Sequence, residues 1–408
     1  MKSDLTRLSS ILLTVLFLSL GLARIAGPAG AQDGAQVYLP AVFRQYDPRW
    51  AEPLPLALEP APDPTSRPLL VIDGRDRLHV LWDSGKEPRL IYHSIHNGTR
   101  WSDPAPIAET QGYSTLLYPP LVDGDGGLHL VWYNRLGAGI EVPHGLLYAH
   151  FDGNGWQPDT VLWRSNNPDL QAMAHRGLGD ALHVTLLDGT VAATETYQLT
   201  WTLLGWTSSG NIQPNGFANR TWPDNEGGVH FYGIDYTRDY GLIYSHWQGG
   251  QWPARNVALP GTVYGRETQF DAAQNLLTYW TGTVPVAEGP VIGLYTQCLD
   301  DALAWEAELV VSGQQAVATT NTRILKAAGR LSGMALVWEE EAPALFRVAL
   351  WEGCAPEVTQ PVPYLDPAGW EPVALALGPA VGPGERVCVL AQRAGMAGWF
   401  GVVCGTIW

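Results

Sequence analysis

The chain has 408 residues, of which 46% are hydrophobic, 10% aromatic and 16% charged, with a formal net charge of −16. This length suits one large all-β domain or two ordinary domains. The negative charge disfavours nucleic acid as a partner, because it repels phosphate backbones. The 45 glycines and 31 prolines predict many tight turns rather than long helices.

The first 31 residues have the pattern of a secretory signal peptide. Lys2 and Arg7 precede an apolar run from Ile11 to Ala23, and Ala29-Gly30-Ala31 provides a small-x-small cleavage site. No later stretch reaches about 18 uninterrupted apolar residues, the length of a membrane span. We therefore expect cleavage near Ala31 and a secreted, soluble, monomeric protein without a membrane span.

Beyond a connector at residues 32–49, one phrase repeats along the chain. It consists of an aromatic strand, a glycine-centred turn and a tryptophan. The clear copies are LIYHSIHNGTRW, LLYAHFDGNGW and LIYSHWQGGQW, ending at Trp101, Trp156 and Trp252; weaker copies end at Trp206, Trp305 and Trp408. A period of about 50 residues containing four short strands is typical of a β-propeller.

The two ends of the repeat complement each other. The last copy, ending at Trp408, contains three strands, whereas the outer-strand sequence WAEPLPLAL at residues 50–58 has no first half before it. Pairing them would remove an exposed strand edge. We predict an all-β fold: one seven-bladed β-propeller of four-stranded antiparallel blades over residues 50–408, with the last blade closed by residues 50–58.

The four cysteines permit disulfides in an exported protein, with three possible connectivities. Cys388 and Cys404 lie on two predicted strands joined by the turn at residues 393–398, and this spacing suits a cross-strand bridge. Cys298 would then pair with Cys354 by elimination.

The repeat resembles the Asp-box, or BNR, motif of sialidase-like propellers, S-x-D-x-G-x-T-W. The matching residues are Ser94, Gly98 and Trp101 in one copy, Ser245, Gly249 and Trp252 in another, and partly Gly153, Trp156, Gly405 and Trp408. The position of the motif aspartate is occupied by His96, Phe151, Trp247 and Val403 in these four copies. An aspartate is present at this position only in the copy that contains Asp300. Phe43-Arg44 is followed by Gln45-Tyr46, so the Phe-Arg-Ile-Pro signature of sialidases is absent. The resemblance implies a fold rather than an activity.

Histidines and aspartates recur at equivalent positions, but the sequence favours structural roles for them. The histidines are His79, His129, His183 and His230, and the turn aspartates are Asp73, Asp123 and Asp152. Equivalent positions in a propeller spread around its axis, so we interpret the histidines as packed or hydrogen-bonded between blades. The loop that begins at Asp123 lacks the further carboxylates of an EF-type calcium site. We expect no metal and no cofactor.

The best candidate binding surface is the face around the mouth of the predicted central channel, where the innermost strands begin. The candidate ligand-binding residues there are Arg220, Arg266, Arg323, Tyr118, Tyr236 and Trp370. Three arginines could bind a carboxylate or sulfate bidentately, or could instead pair with carboxylates between blades. Tyr264 and Glu267 are the weak catalytic candidates, because a glycosidase needs an acid and a base or nucleophile.

The leading hypothesis is an exported, sialidase-like propeller that binds extracellular glycans or proteins, because a complete ring is predicted without a catalytic signature. The alternative is a sialidase-like glycoside hydrolase acting at the arginine-lined mouth. A third interpretation is a structural scaffold in an envelope assembly.

Overall fold

A computed structural model describes the strands and many of the connecting turns between residues 50 and 407. The residues in this span that it does not describe are 65–66, 86–88, 111–119, 124, 136–143, 167–169, 177–181, 189–194, 203–204, 212–219, 224–228, 236–240, 248–253, 258–261, 271–275, 287–288, 300–308, 311–324, 329–332, 342–343, 353–354 and 380–384. All described residues belong to one unit, Gln45–Trp408.

The described residues form seven four-stranded antiparallel sheets, numbered here in chain order. Strand β1 (Leu54–Ala57) belongs to sheet 7. Sheet 1 contains β2 (Leu69–Ile72), β3 (Leu78–Asp83), β4 (Arg89–His96) and β5 (Ala105–Thr110). Sheet 2 contains β6 (Leu121–Val122), β7 (Leu128–Arg135), β8 (His144–Phe151) and β9 (Thr160–Ser165). Sheet 3 contains β10 (Gln171–Arg176), β11 (Leu182–Asp188), β12 (Glu195–Thr202) and β13 (Gly205–Asn211).

The remaining sheets follow the same order of strands. Sheet 4 contains β14 (Arg220–Pro223), β15 (Val229–Asp235), β16 (Gly241–Trp247) and β17 (Ala254–Val257). Sheet 5 contains β18 (Thr262–Phe270), β19 (Leu276–Val286), β20 (Gly289–Leu299) and β21 (Leu309–Val310). Sheet 6 contains β22 (Leu325–Ala328), β23 (Gly333–Glu341), β24 (Ala344–Glu352) and β25 (Ala355–Pro361). Sheet 7 contains β26 (Trp370–Pro379), β27 (Glu385–Arg393), β28 (Trp399–Ile407) and β1.

Strand β2 shows why the sheets stack. Its four residues are apolar and buried, and alternate side chains point to opposite faces of the sheet. Leu70 and Ile72 pack with residues of sheet 7, whereas Leu69 and Val71 pack with residues of sheet 2. Sheet 1 is therefore covered on both faces by neighbouring sheets, as a propeller blade must be.

The same face-to-face packing continues on either side. Phe346 and Val348 of sheet 6 share a core with Val389 of sheet 7, and Val131 of sheet 2 shares a core with Val184 of sheet 3. Strand β14 of sheet 4 lies beside β10 and β11. These contacts give the order 6, 7, 1, 2, 3, 4, which is propeller-like. The described side chains do not extend through sheets 4 and 5, so a closed seven-bladed ring stays a prediction.

The outer strand of sheet 7 comes from the N-terminal side of the repeat. Leu54 pairs with Val402 and Ala57 with Trp399 in an antiparallel register. The backbone N–H of Leu58 donates to Gly398 O at 2.9 Å. Trp50 is 3% exposed and lies against the backbone of Gly405. The final sheet thus combines the two ends of the described chain.

Sheet 7 also contains a disulfide. Cys388 of β27 and Cys404 of β28 are directly opposite each other in the register and are bonded. Both are buried in the core shared with sheet 1. Cys354 and the side chain of Cys298 lie outside the described residues, so their pairing stays a prediction.

The glycine of the repeated phrase has a conformational role. Gly98 and Gly153 have φ values of 95° and 93°, which residues with a Cβ rarely adopt. In the second of these turns, Asp152 Oδ1 accepts hydrogen bonds from the backbone N–H groups of Asn154 and Gly155. Asp152 is therefore a turn residue. The described elements are strands, and none is a helix that could cross a membrane.

Removing residues 50–58 should destabilise the protein strongly, because sheet 7 would lose its fourth strand and expose the edge of β28. Thermal unfolding of this truncation, followed by circular dichroism, should begin at a lower temperature and lose cooperativity. A truncation that begins at Gln45 retains Trp50 and β1 and serves as the control. Equal unfolding curves for the two truncations would contradict the structural role of β1.

Candidate functional site

The structure tests the predicted site residues unequally. Trp370 is described in full and begins β26. Arg220 begins β14. Tyr264, Arg266 and Glu267 lie on β18, whose pairing with β19 is interrupted between Val263 and Gly265. The backbone of these four candidates is described, but their side chains are not. Tyr118, Tyr236 and Arg323 lie outside the described residues. Convergence of the three arginines therefore stays a prediction.

Trp370 lies beside residues that the sequence did not single out. It is paired with Arg393, the last residue of β27, and the guanidinium carbon of Arg393 is 6.0 Å from the centroid of the Trp370 ring. This distance is typical of a cation–π contact. The Trp370 ring also lies over the backbone of Gly401, two residues after Trp399. Trp370, Arg393 and Trp399 thus occupy the same end of sheet 7.

The turn that joins β27 to β28 exposes apolar surface at this end. Among the described residues, the large hydrophobic side chains that are exposed are Met396, at 48%, and Trp399, at 54%. The turn is held by hydrogen bonds from Ala394 N to Gly369 O at 3.0 Å and from Met396 N to Arg393 O at 3.1 Å. A fixed turn that exposes apolar side chains beside an arginine suits ligand binding.

Arg393 supplies the positive charge of this surface. Its side chain is exposed, and no carboxylate in the described part of the chain forms an ion pair with it. A guanidinium in this situation can bind a carboxylate or sulfate with two parallel hydrogen bonds. We name Trp370, Arg393, Met396 and Trp399 the sheet 7 surface.

At the opposite end of the strands, near the turn from first to second strand, buried histidines form a network in sheet 1. Trp156 Nε1 donates to His93 Nδ1 at 3.0 Å, so the ring proton of His93 is on Nε2 and faces His79 Nδ1 at 2.8 Å. His79 Nε2 then faces Asp73 Oδ2 at 3.1 Å, close enough for an electrostatic contact although not aligned as a hydrogen bond. Since Trp156 belongs to sheet 2, this network joins two sheets, as the sequence predicts for His79.

Burial and neighbouring charges set the protonation of this network. Burial, with His79 and Arg77 nearby, lowers the pKa of His93 to about 3. Burial also lowers the pKa of His79, against the opposing effect of Asp73. Burial alone would raise the pKa of Asp73, but interactions with His79 and with the backbone and side chain of Arg77 lower it to about 2. The folded network therefore holds neutral imidazoles beside an ionised carboxylate.

The equivalent positions in sheet 2 have a different set of partners. His129 Nε2 and His150 Nε2 both lie 3.3 Å from Asp123 Oδ2. His129 Nδ1 faces the hydroxyl of Tyr148 at 2.7 Å. Interactions with the Gly127 backbone, His150 and His129 outweigh burial and lower the pKa of Asp123. The ligand atoms of Asp123, His129 and His150 lie within 4.8 Å of one another, so this group could hold a metal ion.

Sequence reasoning missed Arg393, Trp399, His93 and His150. The first two are recognisable only when the turn between β27 and β28 is seen to be exposed. His150 could have been found from strand register, because it lies directly opposite His129 across β7 and β8. His93 required knowledge of which face of β4 meets sheet 2.

No protein-family model and no curated protein matches the chain. Among solved structures, the polysaccharide lyase Uly1 is similar with a TM-score of 0.53 and 9% identity, over 84% of this chain and 90% of that chain. The β-propeller domain of the Trilobed protease from Pyrococcus furiosus has a TM-score of 0.51 and 9% identity, over 83% and 94% of the two chains. The sialidase NanB from Streptococcus pneumoniae has a TM-score of 0.41 and 11% identity, over 86% and 71%. The likeness to the first two structures, at 9% identity, shows a β-propeller-like fold alone.

The histidine network should make stability depend on pH. The pKa of His93 is about 3 in the folded protein against an ordinary value of 6.5, so the unfolded chain binds the extra proton between these values. The free energy of unfolding should therefore fall as the pH decreases from 6.5 towards 3, and the ionised Asp73 should add a further loss below 3.8. Urea unfolding at a series of pH values measures this dependence.

The matched variant is His93→Tyr, since Tyr148 occupies the position in β8 that His93 occupies in β4 and its hydroxyl contacts His129. A tyrosine hydroxyl does not titrate in this range, so the loss between pH 6.5 and 3 should be smaller in the variant. The same pH dependence in both proteins would show that His93 does not contribute.

Proposed function

We propose that this protein is an exported β-propeller, with seven blades in a closed ring, that binds extracellular glycans. The observation that carries the proposal is the sheet 7 surface, where Trp399 is 54% exposed at the same end of the sheet as Trp370 and Arg393. Tryptophan rings offer large, rigid apolar faces on which the C–H faces of a sugar ring can stack. The signal-peptide pattern at residues 1–31 supports export.

The chemistry of the surface favours particular glycans. The indole rings suit the apolar face of a pyranose, and Arg393 suits one carboxylate or sulfate on a neighbouring sugar. The protein's net charge of −16 disfavours polysaccharides with a negative charge on every sugar, because long-range repulsion would weaken their binding to the protein. We therefore infer a preference for neutral glycans or glycans with isolated acidic sugars.

The structural neighbours are in keeping with this proposal. Uly1 is a polysaccharide lyase, so a protein of similar fold acts on a polysaccharide. The identity of 9% transfers no residue from that enzyme to this chain. The support is limited to the architecture, and the proposal depends on the residues of sheet 7.

Trp399→Ala should weaken binding to the best ligand on a glycan array by at least about tenfold, because an exposed aromatic that stacks on a ligand is a typical binding hot spot. Trp399→Phe keeps an aromatic face and should retain part of the affinity. Arg393→Ala should weaken binding to acidic glycans more than to neutral ones. Isothermal titration with the selected glycan gives the affinities.

Three results would count against this function. Equal glycan affinities for the wild type and Trp399→Ala would exclude the sheet 7 surface as the binding site. Hydrolysis of fluorogenic sialosides or neutral glycosides, abolished by Arg266→Ala, would instead favour the glycoside hydrolase alternative at the predicted mouth. An array without any bound glycan would leave protein ligands or the scaffold interpretation in its place.

A further inference from the structure

The cluster in sheet 2 differs from its counterpart in sheet 1 at two positions. Arg77 of sheet 1 donates from Nε to Asp73 Oδ2 at 2.6 Å, and the residue at its position in sheet 2 is Gly127. His79 is paired across the strands with Ile95, whereas His129 is paired with His150. Sheet 2 thus replaces an arginine ion pair with a second imidazole on the same carboxylate.

Both replacements recur in sheet 4. His230 and His246 are directly opposite each other in the register of β15 and β16, as His129 and His150 are in β7 and β8. In the sequence, Asp224 lies six residues and Gly228 two residues before His230. Asp123 and Gly127 have the same spacings before His129. Asp224 and Gly228 themselves lie outside the described residues. The chain therefore contains the same pattern of Asp, Gly, His and His twice, which indicates that the four residues act together.

The backbone at Gly127 approaches the cluster too closely for any side chain. A Cβ there would lie 2.5 Å from Asp123 Oδ2 and 2.9 Å from His150 Nε2. The N–H of Gly127 instead donates to Asp123 Oδ1 at 2.7 Å. This hydrogen bond orients the carboxylate and leaves Oδ2 facing the two imidazoles.

The surroundings of His129 suit a metal ligand. Its Nδ1 faces the Tyr148 hydroxyl, which can accept a hydrogen bond from Nδ1–H and so leave the Nε2 lone pair for a metal. The ring of Trp201 from sheet 3 lies 4.6 Å from the His129 ring and covers it. The side chains of Asp123 and His150 are 14% and 26% exposed, so an ion can reach the cluster from solvent.

We propose that Asp123 Oδ2, His129 Nε2 and His150 Nε2 bind a divalent transition-metal ion of the Zn²⁺ type. Two of the ligand separations are 3.3 Å, and tetrahedral Zn²⁺ with ligand bonds near 2.0–2.1 Å has edges of about 3.3 Å. Two imidazoles and one carboxylate favour Zn²⁺ or a similar metal over Ca²⁺ or Mg²⁺, which prefer oxygen ligands. Three protein ligands leave one position for water or for an oxygen of a bound molecule.

This site is independent of glycan binding at the sheet 7 surface. It lies near the turn between the first and second strands of sheet 2, whereas the sheet 7 surface lies at a turn between second and third strands. The competing interpretation is that the two histidines only hydrogen-bond to Asp123 and join sheets 2 and 3, as the network of sheet 1 joins its neighbours. Metal binding distinguishes the two.

The test uses full-length, tag-free mature protein in which His246→Ile removes any contribution from sheet 4. After chelator treatment, isothermal titration with Zn²⁺ should give one saturable site in this background. Adding His150→Ile, the residue found opposite His79, should abolish that site or weaken it by at least about a hundredfold, because two ligands cannot hold Zn²⁺ tightly. His144→Gln removes another imidazole from β8 and should leave the affinity unchanged.

Titration with Co²⁺ gives a second readout, because four-coordinate Co²⁺ absorbs more strongly in the visible range than hydrated Co²⁺ does. The absorption should be present in the background protein and absent when Asp123→Asn is added. Circular dichroism shows whether each variant is folded, and either variant alone suffices for the comparison. Failure of the background protein to bind Zn²⁺, or unchanged Zn²⁺ binding in a folded His150→Ile or Asp123→Asn variant, would overturn the proposal.

Discussion

Sheet 1 has two apolar faces, and its place in the fold depends on covering both. Strand β2 makes the constraint explicit, because its side chains pack alternately with sheet 7 and sheet 2. A four-stranded sheet alone would leave both faces in water. Neighbouring sheets therefore supply each other's stability, and polar groups between them must be satisfied internally. The network of Asp73, His79 and His93 partly meets this requirement, by a hydrogen bond between the two imidazoles and an electrostatic contact with the carboxylate.

The main features of the fold could be predicted from the sequence because they recur with a regular period. The repeated phrase ending in tryptophan located the turns, and the unpaired sequence at residues 50–58 identified the partner of β28. The site was less readable for physical reasons. His150 becomes a partner of Asp123 only through strand register, and the exposure of Trp399 becomes evident only from the folded turn that precedes it. Trp370 was predicted because strand entries face one end of each sheet.

The same repeat supports chemically different sites. In sheet 1, Arg77 neutralises the turn carboxylate directly, and His93 accepts a hydrogen bond from Trp156 Nε1. In sheet 2, glycine and histidine at the equivalent positions leave a carboxylate facing two imidazoles. Small changes at repeated positions therefore alter local chemistry while the apolar packing of the sheets is retained. This separation allows a repeat protein to acquire binding sites without rebuilding its core.

The pairing of β1 with β28 has a consequence for biosynthesis. Residues 54–57 are synthesised before sheets 1 to 6, whereas the partner strand β28 is synthesised after them. Strand β1 therefore has no partner while most of the chain is made. An unpaired apolar strand in that interval is an aggregation hazard. Pro53 and Pro55 reduce the hazard, because proline has no backbone N–H to donate to a foreign strand. The sequence of β1 thus combines a strand that completes the fold with protection against premature association.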